Sequence, residues 1–130
     1  YNFFSIKILR MVYFLISFYF CIFKRMNLSS VNWKKKIEDD ESSVCIDVRT
    51  PDEFNNGHIP NSMNVNFYDS AKFIAFLHEL DKKKSYYLYC KSGKRSYAAC
   101  EIMSELGFQN LYNLESGFVD WVECGYETVR

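Results

Sequence analysis

The sequence predicts an α/β fold, a mainly parallel central sheet with helices on both faces. Two observations carry this. Short apolar runs alternate along the chain with stretches whose apolar residues recur at helical spacing. No two-residue turn of the Asn-Gly type joins one apolar run directly to the next, so neighbouring strands are linked by crossovers and lie parallel. A chain of 130 residues fits a single domain.

Residues 1–25 differ from the rest. Met11 to Phe23 is an apolar run preceded by Lys7 and Arg10 and closed by Lys24-Arg25. It is shorter than the roughly 17–25 residues of a membrane span, and extending it back to Phe3 would place two cations in the bilayer. No small-x-small cleavage site follows it. Three readings stand: sequence upstream of a true start at Met26, an uncleaved anchor, or a signal. The expected division is an apolar extension over 1–25 and a folded domain over 26–130. A membrane enters the picture only through the extension.

Within the domain, Ser29-Ser30 can cap a short helix through Val31, Trp33 and Ile37. Val44 to Val48 is a β-branched run typical of a buried parallel strand, ending in Asp47-Val48-Arg49. Thr50-Pro51 reads as an N-cap with Pro at the first helical position. Gly57-His58-Ile59-Pro60 turns into a second strand at Ser62–Val65. Phe73, Ile74, Leu77 and Leu80 form a helical core stripe, in which His78 is a solvated face residue. Tyr86 to Tyr89 is a third strand, ending at Cys90. A basic loop follows, and Ser96 opens a helix through Ala99, Ile102, Met103 and Leu106, stopped by Gly107. Leu111–Leu114 is a fourth strand, and a last helix carries Phe118, Trp121 and Val122.

The loop Cys90-Lys91-Ser92-Gly93-Lys94-Arg95-Ser96 is where the chemistry is expected. A turn from strand to helix gathers backbone N–H groups around one small space, which suits an anion. A thiolate at Cys90 would be stabilised there by those groups and by Lys91, Lys94 and Arg95. Cys90 and Asp47 both fall at carboxyl ends of strands, the edge where parallel sheets bind ligands.

Global composition narrows the alternatives. Lys plus Arg equals Asp plus Glu at 16 each, so nothing in the overall charge points to nucleic acid. Five cysteines are an odd number without C-x-x-C spacing, which argues against a disulfide scaffold or structural zinc. Free thiols suit a reducing, cytoplasmic compartment, with anchoring or export through residues 1–25 as the alternative. No cofactor or metal site is expected.

Four stretches together resemble a single-domain rhodanese of the thiosulfate sulfurtransferase family. They are Asp47-Val48-Arg49 with Glu53-Phe54; Gly57-His58-Ile59-Pro60; Tyr89 to Ser96; and Leu114-Glu115-Ser116-Gly117-Phe118 with Trp121. Ser116 departs from the family, which usually shows a second glycine there. The resemblance implies that Cys90 takes a sulfane sulfur from a small anionic donor such as thiosulfate, becomes a persulfide, and passes the sulfur to cyanide or a thiol. A protein acceptor is the relay version of the same chemistry. In this reading Lys91, Ser92, Gly93, Lys94, Arg95 and Ser96 form the persulfide-binding loop. Lys91 and Lys94 attract the donor, and Arg95 braces. Asp47 and Arg49 are expected to support the site as an ion pair, and His58 as a hydrogen-bonded scaffold residue.

Two rival functions remain. Phosphatases and arsenate reductases on this architecture resemble it but place five residues between Cys and Arg; here four stand between Cys90 and Arg95, a tighter cradle sized for one sulfur. A non-catalytic binding module of this family usually lacks the cysteine that Cys90 supplies.

Overall fold

The computed structural model describes residues 2–130, with the side chains of residues 20–25 outside the description. Five strands form one sheet: β1 (Asn27–Leu28), β2 (Ser43–Asp47), β3 (Ser62–Asn64), β4 (Ser85–Tyr89) and β5 (Asn110–Leu114). Their order is β1-β5-β4-β2-β3, and every pairing is parallel. The helices are α1 (Phe3–Met26), α2 (Ser30–Glu38), α3 (Pro51–Asn55), α4 (Ser70–His78), α5 (Lys94–Glu105) and α6 (Gly117–Glu123).

The sheet separates two cores, and β4 at its centre shows how. Side chains alternate along a strand. Tyr86 and Leu88 therefore join Phe73 and Leu77 of α4 and Ala99 and Met103 of α5 on one face. Tyr87 and Tyr89 join Trp33 of α2 and Trp121 of α6 on the other. Trp33, fully buried, meets the rings of Tyr87, Tyr89 and Trp121 edge-on at 5.6, 6.4 and 5.7 Å. Such edge-to-face geometry matches the positive ring edge to the negative face.

Helix ends follow the sequence closely in most places. Ser29 Oγ accepts from the Asn32 N–H at 3.3 Å and Thr50 Oγ1 from the Glu53 N–H at 3.3 Å, each satisfying an orphan donor. Phe73 and Leu77 are buried, whereas Ile74, expected in the same stripe, is 38% exposed. It lies about 100° around the helix from Phe73 and faces outward. The 13-residue apolar run expected near the N-terminus forms part of the 24-residue helix α1, which also takes in Lys7 and Arg10. Both are good helix formers, so charge does not stop the helix. Apolar side chains of α1 between Phe3 and Tyr19 are exposed, while Met26 at its end enters the core. Among the described residues no helix is long and apolar enough to cross a membrane.

The buried Tyr87 carries its hydroxyl out to Asp40, donating to Oδ2 at 2.9 Å. Burial pushes the Asp40 carboxyl up, but hydrogen bonds from Tyr87, Ser42 and Ser85 outweigh it and hold it below its ordinary value. A carboxyl lowered on folding stabilises the fold above its unfolded pKa, and that contribution is lost as pH falls through the folded one. Tyr87→Phe is therefore expected to cost about 1 kcal/mol at neutral pH. Urea unfolding of the variant and the parent should converge as the pH is lowered.

Candidate active site

Cys90 follows directly on β4, in the middle of the sheet, and Tyr89 pairs with Asp47 at the end of β2. The loop after it turns sharply at Gly93, with φ 90° and ψ −8°, and α5 starts at the next residue. The helix thus begins at Lys94, two residues before the Ser96 expected from sequence. Gly93 is its N-cap and has no side chain to cap it, so the first N–H groups of α5 have no side-chain acceptor from the cap. These donors and the positive end of the helix dipole open toward the loop. Cys90 Sγ accepts the Gly93 N–H at 3.1 Å and the Ser96 hydroxyl at 3.4 Å. Cys90 is 1% exposed and Ser96 fully buried. Such donors favour negative charge on sulfur.

The loop is clamped from outside by the β5–α6 turn. The Phe118 N–H donates to the Cys90 carbonyl at 2.8 Å, and the Val119 N–H to that of Lys91 at 3.2 Å. A Cβ on Gly93 would lie 2.0 Å from the Glu115 carbonyl oxygen, and one on Gly117 2.2 Å from that of Lys91. Both glycines have positive φ. Backbone therefore meets backbone at two points, and neither has room for a side chain. Ser116, where the sequence departs from the usual glycine pair, has φ −92° and ψ 0° and needs no left-handed backbone.

The loop's cations divide into two kinds. Lys91 and Lys94 are exposed. Arg95 is held in a forked pair with Glu53, at 3.2 and 3.0 Å, with its guanidinium 5.3 Å from the Tyr68 ring centre. Burial disfavours the charge on Arg95, but Glu53 outweighs it, so the guanidinium stays charged. Among the described interactions, Arg95 spends both terminal nitrogens on Glu53. Glu53 lies in the stretch that follows Asp47-Val48-Arg49, where nothing local marks it as a partner of the loop. Its partner is 42 residues away, beyond the reach of any local pattern.

Asp47 and Arg49 are paired in the interior. Asp47 Oδ1 accepts the Arg49 backbone N–H at 2.8 Å, and its two oxygens take Nε at 3.0 Å each and Nη2 at 2.7 Å. Nη2 also donates to the Gly57 carbonyl at 2.7 Å. The guanidinium lies 4.2 Å from the Phe118 ring centre, joining β2 to α6. Asn64, unremarked in the sequence, donates to the carbonyls of Asp47 and Arg49 at 3.1 and 2.9 Å and holds the end of β2 to β3.

His58 stacks on Phe54 at 3.7 Å, and its Nδ1 lies 2.9 Å from the Phe54 carbonyl. A carbonyl only accepts, so Nδ1 carries a proton and is committed to scaffold. Its backbone exchanges two hydrogen bonds of 2.9 Å with Val129. Beside the loop, Arg49, Glu53, Gly57, Lys91 and Phe118 help to line a cavity of about 310 Å³. A larger cavity of about 580 Å³ lies against α2 and α6, away from the loop, with Trp33, Trp121 and Tyr126 in its wall.

The other thiols have different surroundings. Burial pushes the thiols of Cys45 and Cys100 far up, which keeps them protonated, and Cys124 is exposed. The Cys21 side chain lies outside the described residues. Among the described residues no group of three His, Cys, Asp or Glu side chains is placed to hold a metal ion.

A thiol at the end of the central parallel strand, cradled by a helix N-terminus and clamped by the next turn, marks a class of domain built around one cysteine loop. The profile of the rhodanese-like domain matches residues 30–124, and the chain belongs to that family. It is 33% identical over 95 residues to the thiosulfate sulfurtransferase GlpE of Shewanella oneidensis, covering 73% of this chain and 91% of that one. It is 28% identical over 102 residues to a sulfurtransferase of Allochromatium vinosum, covering 78% and 92%. The crystal structure of a rhodanese-related protein from Thermoplasma volcanium superposes with a TM-score of 0.67 at 30% identity, covering 79% of this chain and 96% of that one.

Proposed function

We propose that this chain is a sulfurtransferase that carries a sulfane sulfur on Cys90 from thiosulfate, or a donor like it, to cyanide or a thiol. The observation that carries this is Cys90 Sγ held by the Gly93 N–H and the Ser96 hydroxyl at the uncapped start of α5. The Cys90 thiolate attacks the outer sulfur of thiosulfate. The sulfur–sulfur bond of the donor breaks, and sulfite leaves with its electron pair. Cys90 is then a persulfide whose terminal sulfur is negative. The loop N–H groups stabilise that charge as an oxyanion hole stabilises its intermediate. Cyanide attacks the outer sulfur, thiocyanate leaves, and the thiolate returns. A thiol, free or on a protein, accepts in the same way and becomes a persulfide.

No general base is needed in this cycle, because the nucleophile reacts as the thiolate and the leaving group is already an anion. The commitment of His58 to Phe54 supports that economy. Lys91 and Lys94, exposed on the loop, draw the anionic donor in, and Arg95 braces the loop through Glu53. The free thiols at Cys45, Cys90, Cys100 and Cys124 support a reducing, cytoplasmic setting.

Intact mass tests the proposal. Thiosulfate should add about 32 Da, one sulfur atom, at Cys90 and release sulfite. Cys90→Ser should gain nothing. An equal adduct on that variant would show that another residue is the nucleophile, and turnover of an aryl phosphate without any sulfur adduct would replace the proposal with phosphatase chemistry.

A further inference from the structure

Three carbonyls in the cysteine loop are held from outside, and the third donor is a side chain that no part of the proposed cycle uses. The Cys90 and Lys91 carbonyls are taken by the N–H groups of Phe118 and Val119. The Gly93 carbonyl accepts from Tyr97 N–H at 3.1 Å and from Asn113 Nδ2, also at 3.1 Å. A trans peptide is planar, with its N–H opposed to its C=O. Pinning the carbonyls of residues 90, 91 and 93 therefore fixes the N–H directions of Lys91, Ser92 and Lys94, each turned away from its clamp.

Asn113 sits on β5, in register with Leu88 of β4 and Asn27 of β1, and is 1% exposed. Its Nδ2 also donates to Asn27 Oδ1 at 2.9 Å. Both neighbours are acceptors, so the nitrogen must face them and the amide can take only one orientation. The arrangement is costly. Asn113 Oδ1 is buried and accepts no hydrogen bond from any described residue. An apolar side chain would avoid that cost at a position on the same face as buried Leu111, so stability alone does not explain an asparagine. What the amide supplies is an oriented donor to the loop.

We infer that Asn113 is a positioning residue for sulfur transfer: together with the Tyr97 N–H it fixes the Gly93 carbonyl and so aims the Lys94 N–H at the outer sulfur on Cys90, and Asn27 holds it in that orientation. The inference rests on Cys90 as the sulfur carrier. It assigns Asn113 no contact with the donor or acceptor.

The test loads the sulfur without relying on turnover. The full chain, labelled with nitrogen-15 and carrying Cys21→Ser and Cys124→Ser, is treated with inorganic polysulfide. Polysulfide transfers a sulfur to the Cys90 thiolate and leaves one sulfur shorter; mass spectrometry verifies the loading. The amide resonances of Lys91, Ser92 and Lys94 should all move. In the Asn113→Ala background, which has no side-chain donor, Lys91 and Ser92 should still move, while the Lys94 response falls below about a third of the parental one. If the Ala variant fails to fold, Asn113→Leu removes the donor while filling the space and serves the same readout. In a thiosulfate assay the variant should lose about tenfold in kcat with KM changed less than about twofold, the pattern of a lost transition-state interaction.

Equal Lys94 responses in variant and parent would overturn the inference. So would loss of all three responses together, which marks a role in general packing. A parent that shows the Lys94 response yet never turns over thiosulfate would remove thiosulfate as the donor while upholding the positioning, and a parent that takes up no sulfur on Cys90 would sink the sulfurtransferase reading itself.

Discussion

Gly93→Ala is expected to reduce sulfur transfer at least about 100-fold, the scale of losing a main donor at a charge-stabilising site. The new Cβ would stand 2.0 Å from the Glu115 carbonyl oxygen and 2.8 Å from its carbon. Both are backbone atoms of the turn that clamps the loop, so neither can swing aside as a side-chain tip would. The loop must move instead. The Gly93 N–H then leaves Cys90 Sγ, and the start of α5 shifts with it. Backbone strain at φ 90° adds about 1–2 kcal/mol. Gly125→Ala separates the two effects. It has a similar φ of 76° but nothing within 4 Å of the new Cβ, so it should lose stability and keep full turnover. Thiosulfate kinetics and thermal melting of the two variants, side by side, make the comparison. Full activity in Gly93→Ala would mean that the loop does not depend on its clamp.

Arg49→Met is the second large effect, and it appears in stability. Removing the guanidinium leaves the fully buried Asp47 carboxylate without its three side-chain hydrogen bonds. It also strips the Gly57 carbonyl of its donor and Phe118 of its cation. Breaking one side of a buried pair costs about 3–5 kcal/mol, a large part of the stability of a small domain. Replacing both partners, as Asp47→Asn with Arg49→Met, should recover part of the loss, because the uncompensated charge goes too. Denaturant unfolding of the single and double variants forms the cycle. A loss below about 1 kcal/mol for Arg49→Met would show that water reaches Asp47 and that the pair is dispensable.

The parts of this molecule that could be read from sequence are those whose causes are local. Val44 to Val48 and Tyr86 to Tyr89 announce buried strands by composition, and Thr50-Pro51 announces a helix start by capping chemistry. Cys90 to Arg95 can be counted residue by residue. Other parts depend on neighbours distant in sequence. Nothing near Asn113 or Asn27 says that they will bond to each other and to the loop, and Glu53 meets Arg95 because the pairing of β2 with β4 brings the ends of both strands together. The strand β1 has two residues, too few for any periodicity, and exists because β5 lies beside it. The early start of α5 was hidden for another reason. Its cap is a glycine, followed by Lys94 and Arg95, so neither a capping side chain nor an apolar residue marks the first turn.

The way the cysteine is held has a consequence for how the domain responds to its surroundings. The groups that touch Cys90 Sγ are an amide and a hydroxyl, and the clamps behind the loop are amides as well. None of these gains or loses a proton in the physiological range, and buried dipoles are poorly screened by salt. The share of the field that these dipoles supply at the sulfur is therefore set by the fold and not by proton or ion concentration. Lys91 and Lys94, out in the solvent, leave the encounter with an anion open to ionic conditions. In the proposed cycle, capture of the donor and retention of its sulfur therefore fall to two different sets of groups, so the medium can tune the first without loosening the second.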